Sequence, residues 1–328
     1  MRRINTTYLP EGHTLTMFTL YSMFSDLNET CEIAQRFPID KDARKLVKTL
    51  LDGYKRTVEV RYHEEEKVVK ENKRNNKVVV CFSGGKDSVA SALKMREAGR
   101  EVILYHVIGI NGAYPDEIKH AEKIAKSLGF PFYTGVVSQS GKTSFKESPV
   151  KNQVIASLAL DFALERDCVS ICFGDFTEDT VENSQFYESW SDTQEMWSAW
   201  VELVKTYVPD VELIIPFKNY NETLEVISND LKLANMVHGC ILPYRFRDMT
   251  RKKNITKYGV ELLDGRCGSC WKCCTEYIYF ADKGVIPLNE DFYRHCIDFL
   301  VKKLPSVHPE VKEINRNTAY KVFLHKDD

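Results

Sequence analysis

The sequence predicts an α/β protein: a parallel sheet wrapped by helices, preceded by an N-terminal appendage and followed by a cysteine-rich lobe. Three observations predict it. From residue 77 to about residue 235, short continuous apolar runs alternate with helical patterns. A glycine-rich turn joins the first of those runs to the first helix, and five of the ten cysteines lie between Cys240 and Cys274. Strands alternating with helices imply crossover connections, and crossovers make neighbouring strands parallel.

The elements follow in order. Ala43 to Tyr54 places Leu46, Val47, Leu50 and Leu51 at helical spacing, with Asp40 and Asp42 ahead of it as capping candidates. Thr57 to Tyr62 alternates as a short strand does. The charged, asparagine-rich stretch from Glu64 to Lys77 reads as a helix end and a linker, so residues 1–75 form the appendage. Val78 to Phe82 is apolar throughout, as expected of a strand buried on both faces. A helix from about Ser88 to Ala98 stops at Gly99, and Glu101 to Ile110 is the second strand. Glu117 to Leu128 is helical and ends at Gly129; Pro131 to Val137 is the third strand. Asn152 to Glu165 is helical, and Val169 to Gly174 is the fourth strand. Val211 to Pro216 is the fifth, with a helix near Leu224 to Leu233 completing residues 76–235. Residues 236–328 hold the cysteines and a helix around Phe292 to Lys303.

A chain of 328 residues can bury a substantial core without covalent staples. Its net charge of −2 provides no global attraction to nucleic acid or to a membrane surface. No apolar run approaches the roughly 20 residues of a spanning helix, and the start leads into polar residues and Pro10 rather than a signal-peptide core. The expectation is a cytoplasmic protein without a membrane partner. Cysteines in that compartment serve metal binding or reactivity more often than disulfides.

The turn is Ser83-Gly84-Gly85-Lys86-Asp87-Ser88. Between a buried strand and a helix, it can aim backbone N–H groups and the positive end of the helix dipole at phosphate oxygens. The two glycines admit close approach, Ser83 and Ser88 add hydroxyls, Lys86 a cation, and Asp87 a ligand for Mg²⁺. The Walker A spacing is absent. On these residues the chain resembles the PP-loop ATP pyrophosphatase superfamily, whose members carry Ser-Gly-Gly-x-Asp-Ser after the first core strand. The resemblance covers roughly residues 77 to 280. It implies a Rossmann-like sheet of the adenine nucleotide alpha hydrolase type, ATP as cosubstrate, cleavage between the α and β phosphates, and catalytic roles for Lys86 and Asp87. It also implies adenine beside Cys81, Phe82 and Tyr105 to Ile108.

Downstream, Cys267, Cys270 and Cys273 form a Cys-x2-Cys-x2-Cys run, and Cys240 can close a four-thiol site. Such a set suits structural Zn²⁺ first; an iron–sulfur cluster, which also accepts four cysteines, and buried thiols with no metal are the alternatives. Cys274 is the alternative to Cys273. The loop and these cysteines together resemble the 7-cyano-7-deazaguanine synthase family. That likeness implies adenylation of 7-carboxy-7-deazaguanine or a related small-molecule carboxylate, followed by attack of ammonia or a macromolecular amine. It implies zinc on Cys240, Cys267, Cys270 and Cys273, and Asn152 at the substrate. The family's Tyr-Gly-Gln segment is replaced by Gly109 to Pro115, and its Ser-Gly-Tyr-Pro-Asp-Cys-Arg segment has no match.

Asp175, Glu178 and Asp179 follow the fourth strand, where parallel sheets bind ligands, so Asp175 is a substrate-site candidate. Trp190, Trp197 and Trp200 read as core or interface rather than as a stacking platform. Arg245, Arg247, Arg251, Lys252 and Lys253 read as a solvated basic face, with a phosphate-gripping face as the alternative. His106 and His238 read as structural. Two further functional classes stay open beside the synthetase: a sulfur-transfer enzyme with a cysteine-bound iron–sulfur cluster, and a catalytically silent nucleotide-binding subunit. The appendage is a candidate homodimer or partner contact.

Overall fold

The computed structural model describes residues 3–6, 12–25, 39–53, 59–64, 67, 69, 73–110, 115–140, 150–177, 193–237, 239–240 and 244–307. Two compact units emerge. One comprises residues 1–84 and 91–216, the other residues 85–90 and 217–328.

The first unit is built on a six-stranded sheet. Its parallel core consists of β4 (Lys77–Cys81), β5 (Glu101–Ile108), β6 (Phe132–Ser140), β7 (Ser170–Cys172) and β8 (Glu212–Ile214). Val78 to Val80 are sealed from solvent on both faces, which is what a four-residue run of valine and cysteine requires. The five strands predicted from apolar runs are these five. Their order is β6-β5-β4-β7-β8, so the chain moves outward on one side of β4 and then returns to fill the other. That reversal is the point at which open α/β sheets bind ligands beyond their strand C-termini.

One strand was not expected. β1 (Arg3–Thr6) pairs antiparallel with β6, from Arg3 opposite Ser140 to Thr6 opposite Val137, and closes that edge of the sheet. The described part of the first 75 residues continues as α1 (Gly12–Ser25) and α2 (Arg44–Gly53). Between them, β2 (Ile39–Asp40) pairs with β3 (Tyr62–His63). The strand expected over Thr57 to Tyr62 is thus reduced to its last residue and the next, because Ile39 and Asp40 offer only a two-residue partner; residues 57 and 58 lie outside the described residues.

Four helices of this unit follow the predicted positions closely. They are the later turns of α3 (Lys86–Glu97), then α4 (Pro115–Leu128), α5 (Lys151–Leu164) and the α2 already named, whereas α6 (Gln194–Lys205) matches no predicted helix. Helix α5 is buried nearly all round: the sheet takes one side and α1 the other. Helix α2 packs on α6. Trp197 and Trp200, one turn apart on α6, are both core residues, 3% and 0% exposed. Trp200 Nε1 donates to Ser157 Oγ on α5 at 3.0 Å, and Trp197 Nε1 to Asp175 Oδ2 at 2.9 Å. Trp190 lies outside the described residues.

The second unit is helical. Helices α7 (Tyr220–Ser228) and α8 (Leu231–Met236) replace the single helix predicted near Leu224 to Leu233. Asp230 divides them, because its carboxylate caps α8 by accepting from the N–H groups of Lys232 and Leu233. Then come α9 (Tyr244–Tyr258), α10 (Trp271–Asp282) and α11 (Glu290–Val307). Helices α10 and α11 pack through Tyr277 and Phe292, whose rings meet edge to face at 4.7 Å.

Trp200 tests the packing of the first unit. Replacing it with alanine removes a fully buried indole and its hydrogen bond to Ser157, and should cost about 3–5 kcal/mol in urea unfolding. A loss under about 1 kcal/mol, the size of an average substitution, would mean that the α5–α6 contact is not a core contact.

Candidate functional site

Strand β4 delivers the chain to the loop. Phe82 N–H donates to the Tyr105 carbonyl at 2.8 Å, and the Phe82 carbonyl meets His106 Nδ1 at 2.8 Å, so the strand exit is held from both directions. His106 is buried. Gly84 then adopts φ +76°, and a Cβ there would lie 2.8 Å from the Ala121 backbone. Only glycine meets both demands. Ser88 Oγ donates to the Gly85 carbonyl at 3.0 Å, and Val89 N–H to the same carbonyl at 3.0 Å, which starts α3.

Lys86 is fully buried. Its ammonium pairs with the neighbouring Asp87 carboxylate and stands 3.5 Å above the centre of the Tyr220 ring. Burial pulls its pKa below the usual lysine range, opposed by the Asp87 and Glu276 carboxylates and reinforced by Lys272. Asp87 also accepts from Thr223 Oγ1 at 3.2 Å. Loop cation and loop carboxylate are therefore both anchored to α7.

A buried carboxylate stands close by. Glu276, on α10, is 0% exposed. It accepts from Arg266 Nε at 2.6 Å, from Gly239 N–H at 3.2 Å and from Tyr220 Oη at 3.3 Å. Arg266, itself buried, donates on to the Ala234 carbonyl at 2.8 Å. Sequence reasoning missed Glu276, Arg266, Tyr220 and Lys272. One signal was available: Glu276 is a lone carboxylate beside the run Tyr277-Ile278-Tyr279-Phe280, and an acid inside an apolar helix needs a partner.

The four cysteines Cys240, Cys267, Cys270 and Cys273 converge, their sulfurs all within 4.8 Å of one another. Cys240 is half-buried and the other three are buried. Four thiolates around a tetrahedral ion at about 2.3 Å would stand about 3.8 Å apart, so this donor set fits zinc, and it fits an iron–sulfur centre by the same chemistry. Ser269 N–H points at Cys267 Sγ at 3.3 Å and Cys273 N–H at Cys270 Sγ at 3.5 Å. Gly268, at φ +67°, makes the tight bend between them. The choice between Cys273 and Cys274 is settled by helix geometry. Cys274 points away, toward the Gly268 carbonyl at 3.9 Å and toward Cys296.

The described part of the basic stretch divides: Lys252 and Lys253 face solvent as expected, whereas Arg247 and Arg251 brace backbone. Arg247 Nη2 donates to the Cys240 carbonyl at 3.3 Å, and Arg251 Nη2 to the Leu262 carbonyl at 2.6 Å. On the same helix, Asn254 Nδ2 donates to the Cys267 carbonyl at 2.9 Å and to Ser269 Oγ at 2.8 Å. Helix α9 thus braces both ends of the thiol site, and of the described basic residues in that stretch Lys252 and Lys253 face solvent. The Arg245 side chain and His238 lie outside the described residues.

The remaining candidates sit in the first unit. Asn152 is half-buried in the first turn of α5. Asp175, just past β7, accepts from Trp197 Nε1 and from Phe176 N–H at 2.9 Å. Glu178 and Asp179 lie outside the described residues. Cys81 and Cys172 are buried thiols: burial drives Cys81 far above the ordinary thiol range and pushes Cys172 up to about 12, so neither is a thiolate near neutral pH.

No helix among the described residues is long and apolar enough to cross a membrane. Gly84 yields a direct test of the loop. Gly84→Ala should lower stability by at least about 1 kcal/mol in urea unfolding, since the new methyl must displace the Ala121 backbone or unwind the turn. Unchanged stability would show that the turn relaxes freely.

Comparison with known proteins gives a local match. No family model matches the chain. A segment of 58 residues is 41% identical to the tRNA(Ile)-lysidine synthases of two strains of Thermus thermophilus. It spans 17% of this chain and 11% of each synthase. Among solved structures, a predicted subunit of a tRNA methyltransferase from Methanocaldococcus jannaschii superposes with a TM-score of 0.30 and 23% identity, over 46% of this chain and 72% of that one. Diaminopropionate ammonia lyase from Escherichia coli superposes with a TM-score of 0.19 and 10% identity, over 80% of this chain and 56% of that one. At these scores neither superposition identifies the fold. Of these relatives, the lysidine synthases share one short segment with this chain.

Proposed function

We propose that this chain is an ATP-dependent synthetase of the PP-loop ATP pyrophosphatase superfamily, which adenylates a substrate oxygen with release of pyrophosphate and passes the activated group to an amine, which displaces AMP. The observation that carries the reading is the Ser83 to Ser88 loop. It leaves the C-terminal end of β4, at the reversal of strand order, with a buried Lys86 and with Asp87 beside it. The segment shared with the tRNA(Ile)-lysidine synthases supports it.

In this reading Ser83, Gly84, Gly85 and Ser88 hold the phosphates, and α3 directs its positive end at them. Lys86 stabilises the charge gathering on the departing pyrophosphate, and the aromatic wall of Tyr220 keeps that ammonium oriented. Asp87 would hold Mg²⁺, which when bound supplies charge neutralisation across the phosphates. Asn152 and Asp175 are assigned to the substrate. Cys240, Cys267, Cys270 and Cys273 are assigned to one structural zinc. The activated group is a carboxylate, 7-carboxy-7-deazaguanine or a relative, and the acceptor is ammonia or an amine on a macromolecule. The cytoplasm is the expected compartment.

The tRNA in the names of the sequence relatives favours nucleic acid as the molecule modified in a second reading. One assay separates the two. Protein with ATP, Mg²⁺ and ammonium is offered either 7-carboxy-7-deazaguanine or unmodified tRNA, with pyrophosphate counted and products identified by mass spectrometry. Amide or nitrile from the deazaguanine is expected; modified tRNA would transfer the activity to the second reading, and no pyrophosphate with either would overturn both. Asp87→Ala should reduce pyrophosphate release by about 100-fold or more with the circular dichroism spectrum unchanged. Full turnover by that variant would mean the loop has been misassigned.

The metal has its own test. Purified protein should be colourless and carry one equivalent of zinc by elemental analysis, and Cys270→Ser should lose it together with thermal stability. A brown protein containing iron would replace the zinc assignment by the cluster.

A further inference from the structure

The three backbone segments that present the four thiols all converge on one carboxylate outside the thiol set. Gly239, which precedes Cys240, donates its N–H to Glu276 Oε1 at 3.2 Å. Arg266, which precedes Cys267, donates Nε to Glu276 Oε2 at 2.6 Å. Cys273 stands one turn ahead of Glu276 on α10. The same carboxylate accepts from Tyr220 Oη at 3.3 Å, and the face of the Tyr220 ring carries the Lys86 ammonium at 3.5 Å. Glu276 therefore belongs to the cysteine lobe and to the surroundings of the phosphate-loop lysine at once.

Two details show how tightly the junction is built. A Cβ on Gly239 would lie 2.9 Å from Glu276 Oε1 and 3.3 Å from Lys86 Cε, so the missing side chain is what lets acid and lysine reach the same backbone. Among the described residues, the buried Arg266 Nη2 finds no hydrogen-bond acceptor. Lys86 and Arg266 are buried cations, Lys272 stands near Lys86, and the carboxylates of Glu276 and Asp87 face them. Without Glu276 the buried Arg266 would lose its carboxylate partner and Lys86 part of the negative field that keeps it charged.

We propose that Glu276 is a positioning residue that couples the four-thiol centre to the phosphate loop. It clamps the backbone ahead of Cys240 and Cys267, and it fixes Lys86, through the Tyr220 hydroxyl and by its charge, where a phosphate can use it. The coupling rests on the reading of the loop as a nucleotide site. It deepens that reading by making phosphate affinity depend on an acid in the cysteine lobe.

The test uses zinc-loaded full-length protein and two readouts: MgATP affinity by calorimetry, and the rate of zinc release to a chromogenic chelator. Glu276→Gln should weaken MgATP binding by about tenfold or more and accelerate zinc release severalfold. Glu276→Asp, which keeps the charge, should recover part of both. Gly239→Ala should reproduce both defects, and it serves in place of Glu276→Gln if that variant does not fold. Lys86→Met should weaken MgATP binding while leaving zinc release unchanged. The double variant Lys86→Met/Glu276→Gln should bind MgATP no more weakly than Lys86→Met alone, because Glu276 acts through the lysine. Additive losses in the double variant, or wild-type affinity in Glu276→Gln, would overturn the link to Lys86. Wild-type zinc release in both Glu276→Gln and Gly239→Ala would overturn the clamp. If the unaltered protein binds no MgATP, the nucleotide reading fails and the link to Lys86 fails with it, whereas the zinc readout still decides the clamp.

Discussion

A lysine ammonium removed from water is the constraint around which the second unit is arranged. An unpaired buried charge is among the costliest features a fold can carry, and Lys86 has no exposed surface. Its environment answers that cost from several directions: the adjacent Asp87 carboxylate, the face of Tyr220 and the negative field of Glu276. Each of these groups is held in turn. Asp87 is held by Thr223, Tyr220 by its hydroxyl on Glu276, and Glu276 by Arg266 and the Gly239 amide. Loss of one member weakens the hold on the next, which is why such networks are rigid when complete.

The thiol site is a knot of local geometry with little apolar core of its own. Its sulfurs are gathered by a glycine bend and by two backbone N–H groups, and its carbonyls are tied to α9 by Arg247 and Asn254. A run of positive charge along one helix would ordinarily meet solvent. Here the guanidiniums of Arg247 and Arg251 are used as donors to backbone carbonyls, because the turns between Cys240 and Cys267 leave those carbonyls without regular secondary structure to satisfy them.

The sheet elements were legible because their signals are local. A strand buried on both faces must be apolar at every position, and Val78 to Phe82 and Glu101 to Ile110 say so without a partner in view. The split between α7 and α8 was equally local, in the capping chemistry of Asp230, and was missed by reading the apolar spacing across it. Strand β1 was not legible: Arg3-Ile4-Asn5-Thr6 becomes a strand only because β6 has an open edge to offer. The tryptophans were readable as core from their helical spacing, but nothing in the chain announces that Trp200 reaches Ser157 or that Trp197 occupies the carboxylate of Asp175.

Residue types at short spacing determined the glycine turn from Ser83 to Ser88, the Cys-x2-Cys-x2-Cys run and the alternation that makes the sheet parallel, since each of those requirements is satisfied within a few residues of itself. Tertiary structure alone decided that Cys273 and not Cys274 joins the four thiols, because neighbours on a helix point about 100° apart. It alone decided that Lys86 is buried against Tyr220, and that Glu276 touches segments 10 and 37 residues away in the chain. Those contacts depend on how the helices of one unit are packed, and a packing arrangement leaves in the sequence only the requirement that a buried charge find a partner.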